Sequence, residues 1–295
     1  MRLYVIGGQG QVARSLREAA MHHGDIVFGC GERPAVNLLR PDSIANALSE
    51  FRPDIVVNPA AYTAVDKAES EPDQAFALNR DGAQAVAAAA ANQGVPVIHF
   101  STDYVFDGTK DGAYVENDPV NPRSVYGQSK LEGELAVAAA NPQSVVLRTS
   151  WVYAPFGANF VRTMLRLAAE RDSLRVVDDQ VGCPTYAPDI AAAVVTIAKK
   201  VVAQGWQPKF AGVTHLAGPD ALTWYGFAND IVRGAALRGG RSVPISPILT
   251  SDYPTAAARP ANSRLSTARL VSVFGIKLPP LQSSLANCLD RLLMV

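Results

Sequence analysis

Short runs of β-prone residues, each answered by a helical pattern, fill the first half of the chain and leave few folds open to it. Arg2-Leu-Tyr-Val-Ile6 runs directly into glycine-rich sequence, and over residues 11–22 Val12, Leu16, Ala19 and Ala20 recur at helical spacing. The theme then repeats: a strand over 26–28, a helix over 41–51 with Ile44 and Leu48 on one face, and a strand over 54–58. A helix is predicted over 72–92, with Asp73 in its first turn and Gly94 after its end, and it leads into a strand over 95–101. Another strand is expected over 145–150. Such alternation predicts βαβ units and a parallel sheet covered on both faces.

Beyond Trp151 the pattern loosens. Helices near 159–170, 187–203 and 223–237 are separated by proline-containing loops and short strands such as 213–216. The expected fold is therefore α/β: a Rossmann-type doubly wound parallel sheet with a smaller mixed α/β C-terminal domain. Residues 1–150 would form the dinucleotide-binding domain and 151–295 a substrate-binding domain over the carboxyl ends of the strands, with a boundary open to interleaving. At 295 residues the chain exceeds what one core usually serves, and its 48% apolar content is ample for packed interiors.

The 27 basic and 27 acidic residues cancel, so no general attraction draws the chain to nucleic acid or to an acidic membrane surface. Any anionic ligand must be held by local geometry. Cys30, Cys183 and Cys288 are scattered and form no Cys-x-x-Cys pair, which argues against a disulfide framework or a zinc site and for a reducing cytoplasm. The uncharged, weakly apolar stretch 82–97 carries Gln84, Asn92 and Gln93 and reads as a buried helix running towards a strand rather than a membrane span.

Gly7-Gly8-Gln9-Gly10-Gln11-Val12-Ala13 stands where the first strand meets the first helix. Gly7 suits a tight turn, Gly10 removes a side chain where a pyrophosphate approaches backbone N–H groups, and small Ala13 lets helix pack on strand. An ordinary βα turn is the plain alternative, but the position at the opening of the first βαβ unit favours a dinucleotide. At the end of the second strand, where an NAD site places an acid for the ribose, this chain has Cys30 after Gly29, with Glu32 and Arg33 following. Arg33 would either pair with a 2′-phosphate or stand as a solvated surface arginine; NADPH is the expected cofactor, with NADH tolerated.

Tyr126-Gly-Gln-Ser-Lys130 opens a further helix, and residues four apart share a helical face. An ammonium beside a phenol is expected to lower the phenol's pKa from about 10 towards neutrality, preparing a proton donor for a developing alkoxide. Thr102, in Phe100-Ser-Thr-Asp-Tyr-Val-Phe106, lies at a strand's carboxyl end, where its hydroxyl would hold a carbonyl oxygen beside that phenol. Small residues in Asn58-Pro-Ala-Ala-Tyr-Thr63 would let a nicotinamide ribose lie against backbone.

Spacing and order resemble the extended branch of the short-chain dehydrogenase/reductase superfamily. Ser101-Thr-Asp-Tyr-Val-Phe106, Arg148-Thr-Ser-Trp-Val-Tyr153 and Arg259-Pro-Ala-Asn-Ser263 narrow the resemblance to the dTDP-4-dehydrorhamnose reductase family along essentially the whole chain. The resemblance implies hydride transfer to the C4 ketone of dTDP-4-dehydro-β-L-rhamnose, the last step of dTDP-L-rhamnose synthesis, with Tyr126 donating the proton. Lys130 would bind the nicotinamide ribose and tune Tyr126, while Thr102 and Asp103 contact the sugar and Trp151 packs beside it. Gly10, Gln11 and Val12 would line the pyrophosphate, Asn37 and Leu38 the adenine, and Ala61, Tyr62, Thr63 and Phe100 the cofactor's inner half.

The family often has Asp where this chain has Cys30 and Asn37. Some members dimerise around a magnesium ion held by glutamates; Ser15 and Pro188 stand at two of the positions for those carboxylates, so no metal is expected, and the chain is expected to be a monomer or homodimer. Asn159 at a helix start would either cap the helix or face a diphosphate, and the Arg259 guanidinium suits phosphate. The rival readings are a nucleotide-sugar epimerase or dehydratase of the same branch, and a non-catalytic NADP-binding regulatory subunit. A dehydratase needs an added acid and base, and Thr102 is followed by Asp103-Tyr104 rather than an Asp-Glu pair.

Overall fold

The computed structural model describes residues 1–293. The first strand, β1 (Arg2–Ile6), passes through the Gly-rich turn into α1 (Gln11–Met21), then β2 (Val27–Gly31), α2 (Pro41–Phe51) and β3 (Ile55–Asn58). Pro41 begins α2 with its φ preset for helix, a place where its missing N–H costs nothing. A short α3 (Val65–Ala68) precedes α4 (Pro72–Phe76) and α5 (Ala83–Ala91), and then come β4 (Val97–Thr102), α6 (Val125–Ala140) and β5 (Ser144–Thr149). β2 runs longer than its apolar residues suggest, because Gly29, Cys30 and Gly31 stay in register with Tyr4, Val5 and Ile6 of β1.

The helix expected to run unbroken over 72–92 instead contains a π-helical turn, Ala77–Gly82, between α4 and α5. One extra residue in that turn rotates Asn79 inward. There its amide accepts from the Tyr62 N–H at 2.7 Å and donates to Ser129 Oγ of α6 at 2.9 Å. Gly133 of α6 sits against the Asn79 carbonyl, where a methyl group would overlap it.

The later half adds β6 (Val152–Tyr153), α7 (Phe160–Glu170), β7 (Leu174–Val177), β8 (Val181–Gly182), β9 (Thr185–Tyr186) and α8 (Ala187–Gln204). β10 (Gly212–His215), β11 (Leu222–Thr223), α9 (Trp224–Ala236), β12 (Ile245–Ile248) and α10 (Leu281–Leu293) complete it.

Six strands form one parallel sheet in the order β10-β5-β4-β3-β1-β2. The chain therefore lays β2 on one side of β1 and returns to lay β3 on the other, which makes the gap between β1 and β3 the switch point where such sheets take ligands. One face is covered by α1 and α8, where Leu3, Val5, Leu16, Ile98, Ile190, Val194 and Ile197 are buried together. The other is covered by α2, α5 and α6 through Tyr4, Ile44, Leu48, Val86 and Val137. Thus α8 and β10, both beyond residue 150, build onto the sheet of the first half. A separate core of Met164, Leu174, Phe227, Ile231, Leu285 and Leu289 joins α7, α9 and α10 to the β7–β12 pair.

Candidate active site

The carboxyl ends of the strands open into a cleft of about 430 Å³ at the switch point. Gly10, Gln11 and Val12 enter it from the start of α1, Ala61 and Thr63 from beyond β3, and Phe100, Thr102 and Asp103 from the end of β4. Tyr126 and Lys130 of α6 and Trp151 beyond β5 close the wall. A larger, open hollow of about 1370 Å³ runs along β2 and α2 on the sheet's outer edge. The smaller cleft is the chemical one, because proton-bearing side chains converge there.

Ser124 starts α6 by accepting the Gly127 N–H at 3.1 Å, which sets the helix phase so that Tyr126, Lys130, Glu134 and Val137 face inward. Lys130 is 3% exposed, and its ammonium donates to the Phe100 carbonyl at 2.6 Å. Burial pulls its pKa down to about 8, with the Glu134 charge working the other way. Glu134 is itself held in a two-pronged buried pair with Arg148, at 2.8 and 2.6 Å, joining α6 to β5.

The phenol of Tyr126 behaves differently from expectation. Burial pushes it up to about 12, hydrogen bonding with Thr102 brings it partly back, and the Asp103 charge adds to the rise. The expected depression by Lys130 is not among the influences on the phenol, and the Lys130 ammonium is bonded to the Phe100 carbonyl. Thr102 Oγ1 donates to Asp103 Oδ1 at 2.9 Å. Asp103 is pushed up to about 6 by burial, against the hydroxyls of Ser263 and Thr102. Tyr104 packs edge-on against Tyr126 with ring centroids 5.5 Å apart, and burial raises its phenol too.

The other end of the cleft fits a nicotinamide dinucleotide. Gly7 adopts φ 85°, a left-handed turn that suits glycine, and the space beside Gly10 is open. No side chain caps α1 and no acid stands in its first turn, so its leading N–H groups are left for an anion. On the floor, the buried hydroxyls of Ser101 and Thr149 have no hydrogen-bond partner among the described residues.

Trp151 has a left-handed backbone, φ 47°, rare for a bulky residue and a mark of local strain. Its indole stacks on Trp224 of α9 with centroids 3.4 Å apart. Beyond this pair lies a second hollow of about 580 Å³, lined in part by Phe160, Trp224, Arg171, Arg175 and Arg259. Arg259 is engaged with Asp66 at 2.7 and 3.1 Å, and that pairing holds the Asp66 carboxyl below its ordinary range. Asn159 caps α7 through the Arg162 N–H at 3.2 Å and donates to Gln11 Oε1 at 2.9 Å. Its amide thus ties α7 to the Gly-rich turn.

The family model described as the RmlD substrate binding domain matches residues 1–294. The chain belongs to the dTDP-4-dehydrorhamnose reductase family. The family's member from Sinorhizobium fredii is 49% identical over 294 residues, covering 100% of this chain and 98% of the relative. A solved dTDP-4-dehydrorhamnose reductase from Clostridium acetobutylicum superposes with a TM-score of 0.90 at 34% identity, covering 98% of this chain and 99% of that one. The reductase from Bacillus anthracis, solved in complex with NADP, gives 0.86 at 32% identity, covering 99% and 98%.

Within this reductase family fold, several residues singled out in the sequence lie apart from the cleft. Cys30 Sγ donates to the Gly7 carbonyl at 3.4 Å, and Arg33 is exposed on the loop after β2. Asn37 shapes the turn before α2 by accepting the Leu39 N–H at 3.0 Å, while Leu38 packs against Gly82. The Tyr62 hydroxyl donates to Glu71 at 2.8 Å. Conversely, Asn79 and Trp224 were not picked out by motif. Trp224 meets Trp151 across 73 residues of chain (224 − 151), and no local pattern signals such a meeting.

Proposed function

We propose that this chain reduces the C4 ketone of dTDP-4-dehydro-β-L-rhamnose to dTDP-L-rhamnose at the cost of NAD(P)H, with Tyr126 as the proton donor. When bound, the reduced nicotinamide supplies the hydride. The observation that carries the assignment of roles is the convergence of Thr102, Tyr126 and Lys130 on one cleft beside the uncapped start of α1.

Reduction leaves negative charge on the substrate oxygen, and the side chain beneath it must hold a proton until that moment. A phenol raised to about 12 is protonated throughout the neutral range. It remains more acidic than a secondary alkoxide's conjugate acid, so transfer runs downhill. Thr102, which lines the same cleft as the phenol, would help to position the substrate oxygen. Lys130, anchored by the Phe100 carbonyl, places a positive charge at the ribose end of the cleft. Asp103 and the face of Trp151 hold the sugar, and the aromatic and arginine-lined hollow beyond the Trp151–Trp224 pair suits a nucleoside diphosphate. Removal of water would need a second carboxylate beside Asp103, where Tyr104 stands instead. We place the enzyme in the reducing cytoplasm, in keeping with its free thiols. Among the described residues no helix is long and apolar enough to cross a membrane.

The test is stoichiometric loss of absorbance at 340 nm with the 4-keto sugar, in wild type and in Tyr126→Phe. The variant should lose about 10²-fold or more in kcat while binding NADPH normally, as expected for removal of a general acid. Turnover within a few-fold of wild type would remove Tyr126 from its role, and turnover without net NADPH oxidation would point to an epimerase or dehydratase.

A further inference from the structure

Beside the Gly-rich turn, where β2 ends and outside the cleft itself, stands a charge arrangement that the family resemblance does not assign. The strand-end acid that would read the ribose is missing, since position 30 is Cys30, whose thiol is turned to the Gly7 carbonyl. Two residues on, Glu32 folds back over the Gly-rich turn. Its carboxylate lies 2.7–2.8 Å from where a side chain on Gly8 would begin, and it accepts from Gln9 Nε2 at 2.7 Å. On its other side stands the guanidinium of Arg17 from α1, at 3.5 Å. Both charges remain partly open, with side chains 38% and 40% exposed. Arg33 makes no hydrogen bond or ion pair among the described residues and is exposed.

We propose that Glu32 is the carboxylate that reads the adenosine ribose, in place of the acid absent at position 30, and that Arg17 is the cation that accepts a 2′-phosphate. This rests on the dinucleotide reading of the cleft given above. NADH and NADPH differ only at that ribose. A free diol offers two donors to a carboxylate already steered over the turn by Gln9, whereas a 2′-phosphate is repelled by Glu32 and matched by the planar fork of Arg17. The pair carries opposite preferences within one ion-pair distance, so the chain takes both nucleotides and the balance between them is set by these two side chains.

Full-length wild type, Glu32→Gln, Arg17→Gln and Arg33→Gln are titrated with NADH and with NADPH, following nicotinamide fluorescence in the absence of any sugar. Competition by 5′-AMP and by 2′,5′-ADP isolates the adenosine end. A charge-assisted hydrogen bond is worth enough that Glu32→Gln should raise Kd(NADH)/Kd(NADPH) by about tenfold or more, and Arg17→Gln should lower it by a similar factor. Arg33→Gln should leave it unchanged. The proposal is overturned if both ratios stay within about twofold of wild type, if both nucleotides weaken equally, or if the shift follows Arg33. Wild type that takes up neither nucleotide would defeat the reductase reading itself, whereas wild-type binding with unmoved ratios defeats only this assignment.

Discussion

Lys130 and Tyr126 share one helical face and one burial, and that burial drives their acidities in opposite directions because one is charged when protonated and the other when not. At neutral pH the phenol keeps its proton while the ammonium is close to losing its own. The sign of the pH dependence follows. With Tyr126 at about 12 and Lys130 at about 8, it is Lys130 that changes state in the mildly alkaline range, and it changes from charged to neutral. We expect kcat/KM for the nucleotide, which reports groups of the free enzyme, to fall as pH rises through about 8. A profile flat to pH 10 would show that the charge on Lys130 is not needed.

At the scale of elements, α6 is the part on which the site depends. It carries both of those residues, it is capped by Ser124, and it is pressed against the π-helical turn that lets Asn79 reach Ser129. Gly133 makes that approach possible by leaving room for the Asn79 carbonyl. Gly133→Ala would gain helix propensity in isolation, yet here its methyl must push two helices apart, and overpacking wins. We expect a net loss of about 1–3 kcal/mol, seen as a lower urea midpoint at unchanged m-value, together with reduced turnover as Tyr126 and Lys130 move. A midpoint equal to or above wild type would mean that the helices can separate at no cost, and that the contact does not position the site.

For the molecule as a whole, the two halves of the chain are less independent than a division at residue 150 implies. Ile190, Val194 and Ile197 of α8 are fully buried with Leu3 and Leu16, and β10 pairs with β5 along Val145–Arg148. A fragment of residues 1–150 would lose α8 from beside α1, leaving part of one face of the sheet without cover, and would expose β5 as an unprotected edge. We expect that fragment to lack a cooperative urea transition and to bind ANS, as a collapsed but unpacked chain does. A sharp transition would identify the first half as a self-sufficient folding unit.

The order of strands and helices, the Gly-rich turn after β1 and the Tyr126–Lys130 pair on one helical face were legible from residue order, because each rests on short-range rules: alternation, helical period, a spacing of four. Thr102 stands 24 residues ahead of Tyr126 (126 − 102), and packing brings the two to one cleft. The π-helical turn was not, since its signal is a single inserted residue in an otherwise regular Ala-rich helix, and the length of β2 escaped because its glycines have no apolar pattern. The sign of the Tyr126 shift also escaped. A four-residue spacing places an ammonium near a phenol, but it does not tell which way the ammonium points or how dry the place is, and those set the electrostatics. The same holds for Glu32 over Gly8, Trp151 against Trp224 and Arg259 against Asp66. These pairs lie 24 to 193 residues apart (32 − 8 and 259 − 66), and their meeting is a property of packed elements, since local rules say which element a residue joins while packing selects its neighbours.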